Sequence, residues 1–108
     1  MGEYKVIWLK RARQDFLRHL IYAQMEFGSK AFQHWVEQVR ETESMIRENP
    51  RRFPLVHQLR HRIHEYRGRI IMRNFKLVYS CDEKRHIVKI RTIWDMRMNP
   101  ETLIRIIR

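Results

Sequence analysis

The sequence predicts an α+β domain, with a helical hairpin on one face of a mostly antiparallel sheet and a short helix at the end. Three observations predict it. A short β-branched and aromatic run opens the chain. Two longer segments follow, with apolar residues every three or four positions. The second half then changes to short runs of β-formers separated by turn residues. The expected order is β-α-α-β-β-β with a helical tail, which places the helices together on the sheet.

Each element has a local reason. Residues 4–9 read Tyr-Lys-Val-Ile-Trp-Leu and form the first strand. From Lys10 onward, Ala12, Phe16, Leu20, Ala23 and Phe27 fall on one helical face. Gly28 stands where a helix ends in a left-handed residue, and Ser29 is placed to cap the next helix. That second helix carries Phe32, Trp35, Val36, Val39 and Ile46 on one stripe and ends at Asn49-Pro50. The expected joint between the helices is two residues long. Residues 51–58 form a connection, with Pro54 blocking regular structure. Residues 60–73 are β-formers without a helical stripe, and Phe75, Leu77 and Tyr79 alternate onto one face of the next strand. Residues 87–94 are the last β run, and Asn74 and residues 82–85 supply the turns. Asn99-Pro100-Glu101 starts the closing helix, whose apolar side is Leu103, Ile104 and Ile107.

Length and composition bound the function. A chain of 108 residues, 44% hydrophobic, fits one domain over residues 1–108 with a modest core. The single Cys81 excludes an internal disulfide and a cysteine zinc site, and reads as a small apolar residue at a strand end. No apolar run approaches the roughly 18 residues of a membrane span. The first residues lack a signal-peptide pattern, and Val6 breaks the myristoylation pattern. A cytoplasmic protein with no membrane role is expected. The net charge is +11, and it is uneven: residues 1–50 hold 8 basic and 7 acidic side chains, residues 51–108 hold 15 and 5. Such a field favours an anionic partner.

Alternation places Arg67, Arg69, Ile71 and Arg73 on one face of a strand, with Lys76 returning beside them. Arg91 lies on the last β run and Arg97 just beyond it; Arg62 precedes the group. With helices on one face only, the other face would be open, and these cations would form a concave patch there. Guanidinium groups suit phosphate through a planar fork. Spacing alone equally fits solvated cations that discourage edge pairing. His57, His61 and His64 lie close together, but with no cysteine and few acids nearby they read as solvated or phosphate-facing residues. His19, His34 and His86 read as structural. Glu65 suits a salt bridge to a neighbouring arginine more than a general base, and Asp95 suits orienting or neutralising Arg97. There is no carboxylate pair, nucleophile elbow, Gly-rich phosphate loop or Cys–His pairing, and neither a metal nor a cofactor is expected.

The order of these motifs resembles the RelE/ParE superfamily of bacterial type II toxins, the plasmid stabilisation proteins. The resemblance runs from Val6-Ile7-Trp8 and Ala12-Arg13-Gln14-Asp15-Phe16 through Phe27-Gly28 and Asn49-Pro50 to Phe53-Pro54. It continues through Tyr66-Arg67-Gly68-Arg69-Ile70-Ile71 and Asn74-Phe75-Lys76-Leu77-Val78-Tyr79 to Asp95-Met96-Arg97-Met98-Asn99-Pro100 and Leu103. The resemblance implies one of two activities. RelE-like members are metal-free, ribosome-dependent mRNA endonucleases, whose basic positions correspond here to Arg67, Arg69, Lys76 and Arg97. ParE-like members inhibit DNA gyrase. RelE-like enzymes often end with a tyrosine or a His-Tyr pair, whereas residues 87–108 hold neither residue type, which favours the ParE-like reading. Arg62, Arg73 and Arg91 are expected as binding residues in either reading. A non-toxic nucleic-acid-binding domain is the plainest alternative. The resemblance also implies a partner, an acidic antitoxin that is partly disordered until bound.

Overall fold

In the computed structural model, which describes residues 3–107, β1 (Lys5–Trp8) leads into α1 (Lys10–Phe27) and α2 (Ser29–Glu48). A connection containing the 3₁₀ turn His57–Leu59 then reaches β2 (Tyr66–Ile71), β3 (Phe75–Asp82) and β4 (Ile87–Asp95), and α3 (Pro100–Ile106) follows. This is the α+β order expected. The sheet order is β1-β4-β3-β2. The last three strands form an antiparallel meander, and β1 pairs in parallel with β4. The parallel pair is possible because the helical hairpin supplies the long crossover that parallel strands require.

The hairpin packs its inner stripes on the sheet. Ala12, Leu20 and Ala23 of α1 and Trp35, Val39 and Ile46 of α2 join Leu77, Tyr79, Val88, Ile90 and Ile93 in one buried cluster. The helices are joined by Gly28 alone, at φ 89° and ψ −171°, a region open essentially to glycine. Its N–H donates to the carbonyls of Ala23 and Gln24 at 3.1 and 3.0 Å. Ser29 is already helical and makes no side-chain capping bond, so the joint is one residue shorter than expected. At α3 the expected cap is present: the Asn99 side chain accepts from the Glu101 N–H at 3.0 Å, with Pro100 in the first turn.

The second face of the sheet is not open. Val56, Leu59, Tyr66, Val78, Trp94, Leu103 and Ile107 form a second buried cluster there. The 51–65 connection and α3 cover this face because both faces of the central strands are apolar. Tyr66, Val78 and Trp94 point away from the hairpin and need their own cover. Gly68 lies on this covered side. A Cβ there would stand 3.2 Å from Val56 and 2.8 Å from the Lys76 stem, so glycine allows Lys76 to lie across β2. Among the described residues no helix is long and apolar enough to cross a membrane.

Candidate functional site

The basic residues expected to share one concave face are distributed over the molecule. β2 is twisted into the hairpin side at its odd positions, so Ile71 is buried in the first cluster and Arg69 reaches α2. Arg69 donates to the Thr42 hydroxyl at 2.9 Å and to Glu41 at 3.0 Å, and its guanidinium lies over the Phe53 ring. Arg67 donates to the Phe53 carbonyl at 2.9 Å and lies 3.7 Å from Glu65, the salt bridge suggested for that acid. Lys76 is on the opposite face, against Gly68. Arg97 lies beyond β4, where Asp95 grips its Nε and one terminal nitrogen, both at 2.9 Å. The cationic concave patch therefore does not form: Arg67 and Arg69 share a side, and Lys76 and Arg97 each stand elsewhere.

Of the remaining three cations, Arg91 and Arg62 lie on the second face of the sheet, as Lys76 does, and Arg73 lies in the β2–β3 turn. Arg73 is not in a strand; β2 ends at Ile71, and Met72 and Arg73 turn the chain with φ of 48° and 67°. Arg91 is the extra residue of a β-bulge, because Val78 pairs with Thr92 and Tyr79 with Ile90. Its guanidinium lies over the Tyr66 ring. Arg62 donates to the Ile104 carbonyl at 2.7 Å and so satisfies an acceptor in the last turn of α3. Among the histidines, His57 contacts Arg60 through Nε2 at 3.0 Å.

At one end of the sheet, α1, the start of α2 and the β2–β3 turn enclose a cleft of about 480 Å³. His19 stacks on Trp35 with centroids 5.1 Å apart and leans on Phe75 at 4.6 Å. Tyr22 and Phe27 form an exposed edge-to-face pair at its mouth. Arg18 and Arg97 also line it. Burial, reinforced by the Arg18 charge, pushes the His19 imidazole below its ordinary value, so the ring favours the neutral form. Nε2 lies 3.3 Å from the Ile93 carbonyl; since that oxygen only accepts, the proton is on Nε2. The bidentate bond from Arg97 holds the Asp95 carboxyl below the usual carboxylate range. Asp95 thus orients Arg97, as its sequence position suggested. His19 read as an isolated structural residue in the sequence. Its neighbours Trp35 and Phe75 lie far away in the chain, so only the fold reveals the aromatic group.

A second feature escaped the sequence reading. The outer face of α1 exposes Leu17, Ile21 and Met25 at 58%, 58% and 77%. They recur every four residues beside the inner stripe, and that spacing was the available signal. Leu17 leads into a groove of about 770 Å³ between α1, α2 and β1, floored by Val6, Trp8, Phe16 and Val36 and flanked by Arg13 and Arg40. β1 is an edge strand, so the groove borders an unpaired strand edge.

The α+β fold, with its basic and apolar surface, agrees with the comparison against protein families. The pattern of the family described as ParE toxin of type II toxin-antitoxin system, parDE, matches residues 6–100. The chain belongs to that family, and is the toxin side of a type II toxin–antitoxin pair whose other member is an antitoxin. No curated protein matches the chain.

Proposed function

We propose that this toxin acts as a ParE-like inhibitor that binds an essential cytoplasmic target, DNA gyrase, rather than as a ribosome-dependent mRNA endonuclease. One observation carries the reading: Arg67 and Arg69, Lys76, and Arg97 occupy three separate places, two of them on opposite faces of the sheet. Cleaving a phosphodiester requires an acid, a base and a charge stabiliser within reach of one phosphate. Residues 87–107 add neither a tyrosine nor a histidine that would supply the proton transfer. Under this reading Arg67, Arg69, Lys76 and Arg97, with Arg62, Arg73 and Arg91, tune a binding surface.

The antitoxin is assigned to the groove between α1, α2 and β1 together with the exposed Leu17, Ile21 and Met25 stripe that leads into it. Its apolar floor suits an amphipathic segment, and Arg13 and Arg40 at its sides suit an acidic one. The test pairs two assays of the purified chain. Supercoiling of relaxed plasmid by gyrase is expected to stop, and primer extension on programmed ribosomes is expected to show no new cuts. Cuts within A-site codons with supercoiling intact would overturn the reading in favour of the endonuclease. A folded chain that is harmless when expressed without its antitoxin would favour a non-toxic nucleic-acid-binding domain.

A further inference from the structure

We infer that the aromatic cleft at the α1 C-terminal end is a binding site for a nucleoside phosphate, with the base among its rings and the phosphate on Arg18 and Arg97. The inference is independent of the target proposed above. A cleft of about 480 Å³ has the size of a small-ligand site. Its lining is dominated by flat rings: His19, Phe75 and the exposed Tyr22 and Phe27. Rings of this kind bind bases through their π-faces with little dependence on sequence. Tyr22 and Phe27 touch each other edge to face but leave most of their aromatic surface open at the mouth of the cleft.

The arginines have geometry suited to an anion. Asp95 takes Nε and one terminal nitrogen of Arg97, which fixes the guanidinium over the Phe75 ring at 5.5 Å. The other terminal nitrogen makes no hydrogen bond within the described residues. Arg18 is anchored to the buried Asp15 through one terminal nitrogen at 2.8 Å, which leaves its Nε and second terminal nitrogen in the same condition. Both forks are held in place before a ligand arrives, which reduces the ordering cost of binding. His19 contributes an uncharged ring, and its proton on Nε2 leaves Nδ1 as an acceptor for a base amino group.

The shared chemistry, a base carrying a phosphate, occurs in a free nucleotide and in an unpaired residue of a nucleic acid. Titration of the full chain with adenosine monophosphate, adenosine, inorganic phosphate, a single-stranded octanucleotide and the matching duplex separates these sources. The monophosphate or the single strand is expected to bind at least about tenfold more tightly than adenosine or phosphate alone. Preference for the octanucleotide over the monophosphate assigns the site to an unpaired strand, and equal affinity assigns it to free nucleotide. Tyr22→Ala, on an exposed ring, is expected to weaken binding about fivefold to tenfold without changing the unfolding midpoint. Arg97→Gln is expected to weaken the monophosphate and leave adenosine unchanged. Absence of binding by every probe overturns the inference. So does duplex binding equal to single-strand binding that Tyr22→Ala leaves intact, because that pattern belongs to a merely basic surface.

Discussion

The inner and outer faces of α1 carry similar side chains in opposite circumstances. On the inner face Ala12, Leu20 and Ala23 are covered by α2 and the sheet, and Asp15 is 3% exposed with every oxygen engaged. On the outer face Leu17, Ile21 and Met25 each keep more than half of their surface exposed. The inner residues are held by the fold, so their energy appears in folding. The outer residues are idle in the free chain, so theirs appears only when a partner covers them. Under the antitoxin docking proposed above, folding and neutralisation would draw on opposite faces of one helix.

The largest expected effect breaks the inner side. Asp15 accepts from the Thr92 hydroxyl and the Ile93 N–H at the β4 bulge, and from Arg18 at the surface. It ties the N-terminal part of α1 to the sheet, where apolar packing alone would allow sliding. Asp15→Ala leaves the buried Thr92 hydroxyl and Ile93 N–H without their acceptor. The expected loss is about 3 kcal/mol, read as the urea midpoint of the free chain. Adding Thr92→Val is expected to recover part of it, because one orphaned donor disappears. A loss below about 1 kcal/mol would mean that water or another acceptor replaces the carboxylate.

The next effect breaks the outer side. Ile21→Glu places an acid in the centre of the exposed stripe. Folding stability is expected to stay within about 0.5 kcal/mol, as for other surface changes. Affinity for the cognate antitoxin, measured by calorimetry, is expected to fall about 30-fold or more if the docking proposed above holds, since a central apolar anchor would be lost and the new acid would meet an acidic segment. Unchanged affinity would move the antitoxin off this face. Together the two variants test whether the faces are energetically separate.

Much of this was legible in the sequence, and the exceptions share a cause. The strand, the two helices and the α3 cap follow from local spacing, and local chemistry decides them. The faces of β2 were harder. Arg67, Arg69 and Ile71 do alternate together, as the sequence says, but alternation does not reveal which side faces the hairpin. Ile71 decides it, because its burial among the helices carries the two arginines with it. The second face was expected to be open, although Tyr66, Val78 and Trp94 were available as apolar markers on three different strands. Pairing them requires the register of the whole sheet, including a bulge at Arg91 that no local pattern marks. The cleft was invisible for the same reason: Arg18, Trp35, Phe75 and Arg97 meet only after the chain has folded.

The smallest effect concerns the boundary between the two faces, where His19 is half-buried between the inner stripe and the exposed Tyr22. Its burial between Trp35 and Phe75 disfavours the imidazolium, with Arg18 adding to the same direction. The folded value therefore lies below the unfolded value of about 6.5. A depressed group contributes its stability fully above the unfolded value and loses it as pH falls toward the folded one. Stability of the free chain is thus expected to decline as pH falls through and below about 6.5, as the unfolded chain takes up a proton that the folded chain resists. His19→Gln removes that proton while leaving a polar group near the Ile93 carbonyl, so its urea midpoint is expected to vary less over the same interval. Ile21→Glu, two residues further along on the outer face, is expected to keep the wild-type dependence. If the His19→Gln and wild-type profiles run parallel, the ring is hydrated in solution and belongs with the outer face rather than the inner one.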